Sequence, residues 1–277
     1  MIMKLGFVFT NYNNSSYTRS AVQSILLNSN SPDTYIAIVD NQSEEKDIDS
    51  LKEIKKDFPE IHLILNDKNS GYFGGLNIGI KHLRENFENI DYLVIGNNDL
   101  VFPADFIDNV QKNLRLFEIY PIISPDLITL DGIHQNPHVI KGLSKFRETI
   151  FDIYFTNYRL AKIINFIAKM TRRVSDRKDE QQFEVAQTIS QGYGACYILG
   201  PVFFSNFDLL WAPTFLMGEE LFLSKQLESR GLQIYYEPGI IVNHHDHGTL
   251  SKMPGKKLWE ISRESHKIYR KYVKNFI

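Results

Sequence analysis

"YLVIGNNDLVF", Tyr92 to Phe102, begins as a buried strand: four apolar residues in a row, then Gly-Asn-Asn-Asp, then apolar again. A core strand that closes on three polar side chains, the last a carboxylate, asks for a reason. In parallel sheets ligands bind beyond the carboxyl ends of the strands, so polar residues there read as the rim of a cleft. Asn and Asp are also good turn formers and follow strands for that reason alone. One strand does not decide between the two readings.

Three further strands end the same way. "KLGFVFT" runs into Asn11-Tyr12, "YIAIVDN" closes on Asp40-Asn41, and "IHLILN" on Asn66-Asp67. Between them lie helical patterns: "SSYTRSAVQSILLNS", whose serines can cap its start, the acidic "QSEEKDIDSLKEIKKDF", and "GGLNIGIKHLREN" after a glycine-rich turn. "PADFIDNVQKNLRLF" follows, with proline in its first turn. Strand and helix alternating at this spacing imply βαβ units and a parallel sheet covered on both faces. Four polar strand ends on one rim favour a ligand site.

Beyond Tyr120 the pattern loosens. "IISPDLITLDG" reads as a strand pair, "GYGACYILG" as one strand, and "LQIYYEPGIIVNHHDHG" as two short strands and a histidine cluster. "EELFLSKQLESRG" is a helix, its two leading carboxylates at the positive end of the dipole and Gly231 at its stop.

The 277 residues, 43% hydrophobic and 23% charged with net charge −2, describe an ordinary globular chain without the basic excess of a nucleic-acid binder. The single cysteine, Cys196, excludes an intramolecular disulfide and fits a reducing, cytoplasmic compartment. The N-terminus reads as a first strand rather than a signal peptide. No stretch approaches the roughly 18–20 consecutive apolar residues of a membrane span. The loop from Asn69 to Gly79 carries four glycines in nine residues from Gly71 onward, but Phe73 stands where a dinucleotide fingerprint needs its second glycine.

Taken together, "FTNYNN", "IVDNQS", "NSGYFGGLNIG", "IGNNDLVFP", "GACYILG" and "FLMGEELFLSKQLESRGLQIYYEPGIIVNHHDHGTLS" resemble, in order, the inverting glycosyltransferases of family 2, rhamnosyltransferase-like variety. The resemblance runs from about Lys4 to Ser251. It implies a GT-A-like α/β fold: a nucleotide-binding, mostly parallel sheet flanked by helices, with a helical acceptor-side C-terminal portion. The corresponding boundaries are 1–250 for the transferase domain, with a basic helical insert at about 141–185, and 251–277 for a C-terminal extension.

The same resemblance implies roles. Tyr12 would stack on a base, with Thr10 and Asn11 in the same turn, and Asp40 would accept from a pyrimidine N3–H, selecting a UDP- or dTDP-sugar. Asn69 and Gly71 would lie against the nucleotide or sugar. Asp99 would bind Mn²⁺ or Mg²⁺ bridging the donor diphosphate, while Asn97 or Asn98 would bond ribose or sugar. His244, in Val242-Asn243-His244, would be the second metal or diphosphate ligand, with His247 as a rival. Glu219 and Glu220 would form the catalytic centre, Glu220 taking the place of the base.

The sequence departs from the family pattern at three positions. Asn97 stands where an aspartate is usual, Glu220 is one methylene longer than the usual aspartate, and Phe222 replaces a frequent aspartate. These departures keep open a non-catalytic nucleotide-binding or scaffold member of the same fold. A nucleotidyltransferase is disfavoured, because "TNYNNSSYTR" lacks a glycine-rich basic phosphate loop.

"YRLAKIINFIAKMTRR" sets cations beside an apolar face, within a stretch from Lys141 to Lys178 that holds ten basic and three acidic residues. Such a helix suits three partners: the protein core, a second subunit, or an anionic membrane surface carrying a polyprenyl-linked acceptor. "KKLWEISRESHKIYRKYVKNF" resembles the closing helix of the family.

Overall fold

A computed structural model describes residues 3–28, 33–88, 90–142, 145–170, 179–245 and 254–272. His247 and the basic residues Arg172, Arg173, Arg177 and Lys178 lie outside the described residues. The first half follows the alternation read from the sequence: β1 (Leu5–Asn11), α1 (Ser15–Asn28), β2 (Thr34–Asp40), α2 (Glu45–Asp57), β3 (His62–Leu65), α3 (Tyr72–Asn86), β4 (Tyr92–Asn97), β5 (Leu100–Val101) and α4 (Phe106–Lys112). Then come β6 (Ile122–Thr129), α5 (Lys145–Tyr154), α6 (Tyr158–Met170), β7 (Gln187–Ile189), β8 (Cys196–Leu199), α7 (Pro201–Asn206), α8 (Glu219–Glu228), β9 (Ile234–His244) and α9 (Gly255–Tyr272).

The sheet runs β3-β2-β1-β4-β8-β6-β9-β5, with β7 on β9. The expected parallel pairing holds for β3-β2-β1-β4 and for β6–β9. β5, β7 and β8 instead join antiparallel, so the second half is mixed. Along β1 the period of two sorts side chains: Phe7 and Phe9 join a core with Val22, Ile25, Leu51, Ile54, Phe106 and Val110, while Val8 meets Leu76, Ile80 and Leu83 of α3. Full burial of each such side chain stabilises by roughly 1.5–3 kcal/mol.

Three local readings are corrected. "IISPDLIT" is one strand with a bulge at Pro125/Asp126, not a pair. The partner β9 is likewise a single strand, because Pro238 and Gly239 fall where the register slips and no ladder bond is required of them. The helix expected from Pro103 divides into α4 and a 3₁₀ turn at Leu114–Glu118.

The helical tier outside the sheet is joined by polar pairs. On α9, Tyr269 Oη and Arg270 Nη1 donate to Glu148 of α5, and Arg270 Nη2 also pairs with Asp152 at 2.9 Å. α9 reaches back to the sheet side through Ser265 Oγ, which donates to the Leu216 carbonyl, and through Tyr269 against Phe222.

Candidate active site

Strands β1, β2 and β4 end level with one another, Asn11 beside Asp40 and Thr10 beside Asn97. Their polar ends first bind each other. Asn11 Nδ2 donates to Asp40 Oδ1 (2.9 Å), Ser43 Oγ (3.1 Å) and Asp47 Oδ2 (2.7 Å). Ser43 N–H and Oγ donate to Asp40. Burial alone would raise the Asp47 carboxyl, but hydrogen bonds from Ser15, Asn11 and Ser43 hold it below the ordinary range. Asn98 is equally committed: its Nδ2 reaches Thr18 Oγ1 (2.7 Å), Asn14 Oδ1 (2.8 Å) and Asn11 Oδ1 (3.1 Å). Asn41 Nδ2 ties the Gly71 carbonyl, and Asn69 Oδ1 accepts from the Gly71 N–H.

The structure therefore separates residues grouped by sequence. Asn11 and Asn98 have buried amides that brace loops, and Asp40 is buried under the same network. Tyr12 keeps an exposed ring at the rim, and Thr10, Asn69 and Asn97 are half-buried. Asn13 and Gln42, which follow β1 and β2, hold left-handed backbone (φ 57° and 64°), a conformation that concentrates at functional loops.

Asp99 sits in the turn between β4 and β5. β5 then pairs with β9 so that Leu100 lies opposite His244, and that register delivers the carboxylate to the imidazole. Asp99 Oδ1 lies 3.2 Å from His244 Nε2, each side chain 3% exposed. His244 Nδ1 donates to Gln135 Oε1 (2.7 Å), which turns Nε2 towards the carboxylate oxygen. Among the described residues neither Asp99 Oδ1 nor His244 Nε2 has a hydrogen-bond partner. A buried carboxylate oxygen and ring nitrogen left without hydrogen bonds are atoms that a cation between them would satisfy. Their spacing is close to the roughly 3 Å between neighbouring ligands of an ion with bonds of about 2.1 Å. One carboxylate and one imidazole would offer two ligands to a divalent ion; no cluster of three or more ligating side chains forms among the described residues.

The acidic pair opens α8. Met217 and Gly218 both hold left-handed backbone (φ 74° and 84°), turning the chain sharply into Glu219. Burial first, and the neighbouring Glu220 second, push the Glu219 carboxyl up to about 8, and its Oε1 has no hydrogen-bond partner among the described residues. Glu220 is also raised by burial, but the backbone N–H groups of Glu220 and Gly194 bond its carboxylate and oppose the rise. Both carboxyls are thus held above the ordinary range by burial, and the proximity of one to the other opposes a second negative charge on the pair.

One short segment, Tyr193 to Ala195, connects the two centres. The Tyr193 ring stands edge-on to His244, centroids 6.0 Å apart. A Cβ on Gly194 would strike the Glu220 carboxylate. The Ala195 carbonyl accepts from Asn97 N–H at 2.9 Å. The glycine-rich loop closes the group: Tyr72 Oη donates to the Gly194 carbonyl and Tyr72 N–H to the Phe215 carbonyl. At Gly71, φ is 77° and the Phe215 carbonyl fills the space of a side chain, so glycine is required.

Sequence reasoning missed Gln135, Tyr193 and Gly194. Gln135 sits in no recognisable pattern, although its neighbour Asn136 fixes Tyr193 by accepting its N–H at 2.8 Å.

The mixed sheet flanked by helices has the GT-A fold of the solved structures that resemble it. Residues 7–116 match the family model described as Glycosyl transferase family 2. Three solved structures share the fold. GalNAc-T7, crystallised with UDP, GalNAc and Mn²⁺, is 14% identical with TM-score 0.59, covering 88% of this chain and 44% of its own. The mannosyltransferase PcManGT of Pyrobaculum calidifontis, in complex with GDP-Man and Mn²⁺, is 13% identical with TM-score 0.58, covering 99% and 65%. Residues 1–349 of S. aureus TarS are 11% identical with TM-score 0.50, covering 85% and 60%. The chain thus spans between 44% and 65% of the length of these proteins. No curated protein matches it by sequence.

Proposed function

We propose that the protein is a metal-dependent inverting glycosyltransferase, moving a sugar from a UDP- or dTDP-sugar to a hydroxyl of a saccharide or polyprenyl-linked acceptor in surface-polysaccharide synthesis. The observation that carries this reading is the orphaned pair Asp99 Oδ1 and His244 Nε2, buried 3.2 Å apart at the strand ends. Mn²⁺ in two solved structures of the same fold supports it.

Asp99 and His244 would hold Mn²⁺ or Mg²⁺, which when bound supplies positive charge to the donor diphosphate. Gln135 keeps His244 in the tautomer that offers Nε2. Tyr12 offers its exposed ring to the base and Asp40 a carboxylate acceptor, the basis for preferring uracil or thymine. Inversion is a single displacement: the acceptor oxygen bonds to the anomeric carbon as the bond to the diphosphate oxygen breaks. Glu220 would take the acceptor proton, beside a Glu219 whose carboxyl is held up to about 8 by burial and by Glu220 itself. The Gly194 N–H bonds the Glu220 carboxylate, and Tyr72 fixes Gly194 by donating to its carbonyl, in the segment that also carries Tyr193 to His244.

The test is calorimetric binding of UDP, dTDP, GDP and CDP, each with and without Mn²⁺, to the wild type and Asp99→Ala. Binding of UDP or dTDP that tightens with Mn²⁺ and loses that gain in the variant supports the proposal. A folded protein that binds no nucleotide with Mn²⁺ present overturns it.

A further inference from the structure

Helices α5 and α6 pack together and expose large apolar side chains. Phe146 is 74% and Phe166 65% exposed, and Ile153, Leu160 and Ile163 are also exposed. Leu160, Ile163 and Phe166 recur every three residues along one face of α6, while Ala161 points to the core. Phe146 and Ile153, two turns apart, share a face of α5. A soluble surface seldom gathers this much apolar area without a partner.

Charge selects the partner. From Lys145 to Met170 the sequence has five cationic residues and two acids. Both acids are occupied by α9: Glu148 by Tyr269 and Arg270, Asp152 by His266 and Arg270. Arg159 and Lys162 stand exposed, each one residue before a member of the apolar stripe. A second copy of this face would bring cation against cation. An anionic bilayer surface offers apolar depth and opposite charge together.

We propose that α5 and α6 dock the protein on the headgroup region of an anionic membrane, lying in its plane. Thirteen residues of α6 extend about 20 Å, short of the roughly 30 Å of a hydrocarbon core. Among the described residues no helix is long and apolar enough to cross. α9, which grips α5 on one side and Phe222 of α8 on the other, couples this face to the helix of the acidic pair.

The test is vesicle flotation of the full chain with phosphatidylcholine alone and with added phosphatidylglycerol, at low and high salt. The full chain floats with the mixed vesicles, stays behind with phosphatidylcholine alone, and is released by salt. Neutralising Arg159 and Lys162 to Gln weakens binding about fivefold for each cation. Ile163→Ser with Phe166→Ser abolishes flotation with unchanged melting; Phe146→Ser, on the other helix, weakens it independently. Absence of flotation with anionic vesicles overturns the proposal. So does a wild-type dimer in sedimentation that the Ile163/Phe166 variant converts to monomer, since the face would then join two copies of this chain.

Discussion

Asp99 Oδ1 and His244 Nε2 face each other across 3.2 Å, both buried, and among the described residues neither takes a hydrogen bond. Leaving such acceptors unsatisfied costs roughly 1–3 kcal/mol each, a cost a bound cation would remove. Asp99→Ala and His244→Ala should each abolish the gain in nucleotide affinity produced by Mn²⁺. In turnover with a UDP- or dTDP-sugar, kcat/KM should fall on the order of 10²–10³-fold, the usual cost of losing one charge-stabilising group. Isothermal calorimetry and steady-state kinetics measure the two effects separately.

Gln135 acts through His244. Its Oε1 accepts from Nδ1 at 2.7 Å, so Gln135→Leu should let the ring rotate or change tautomer. Loss of such an outer partner weakens metal binding about 10–100-fold. Gln135→Glu keeps an acceptor and should restore most of the affinity, whereas a merely structural glutamine would not be rescued. Mn²⁺ titration followed by electron paramagnetic resonance, with UDP present, reads the difference.

The acidic pair makes opposite predictions for its two members. Glu220→Gln removes the carboxylate proposed as the base and should abolish transfer while preserving donor binding. Glu219→Gln imitates the protonated state of Glu219 and should retain activity. The same substitution should change stability in a set direction. A carboxyl raised from 4.5 to about 8 in the folded protein contributes fully below the lower value and loses that contribution as pH rises toward the upper one. Melting temperatures should therefore favour Glu219→Gln increasingly between pH 5 and pH 8. Even one unit of the shift corresponds to about 1.4 kcal/mol.

Gly194→Ala isolates the position of Glu220. The added methyl would strike the far end of that side chain, which can swing away at little cost to the fold. Transfer should drop while the KM for the donor and the melting temperature stay near wild type. A loss of donor binding instead would mean that the segment serves the nucleotide and not the base.

How much of this was legible in the sequence follows from where each interaction is encoded. The first four strands declare themselves because each apolar run and its helix are local patterns. β6 and β9 were misjudged because Pro125 and Pro238-Gly239 look like breaks, and only the pairing of distant strands shows that both fall at one slipped register. Asp99 and His244 were nominated separately by resemblance, but their meeting depends on the two-residue strand β5, too short to announce itself. Polar strand ends concealed a different division of labour: Asn11 and Asn98 have amides spent on Asp40, Asp47, Asn14 and Thr18, partners up to 84 positions away. Gln135 and Gly194 act through single long-range contacts that leave no periodic trace.

Phe222 is a departure from the family pattern that the structure explains. Its ring is buried, edge-on to Trp211 at 5.1 Å, Tyr269 at 5.9 Å and Tyr272 at 6.2 Å, so it anchors α9 to α8. Phe222→Ala should cost about 3–5 kcal/mol, as removing a large core side chain does. Phe222→Asp, which restores the frequent aspartate, should destabilise further because it buries a carboxylate. Limited proteolysis should then cut within α9 before the sheet domain, and activity should fall rather than rise. A Phe222→Asp protein that melts like wild type and turns over faster would show that the position serves the acceptor directly, and that α9 is held by Ser265 and Leu216 without the aromatic cluster.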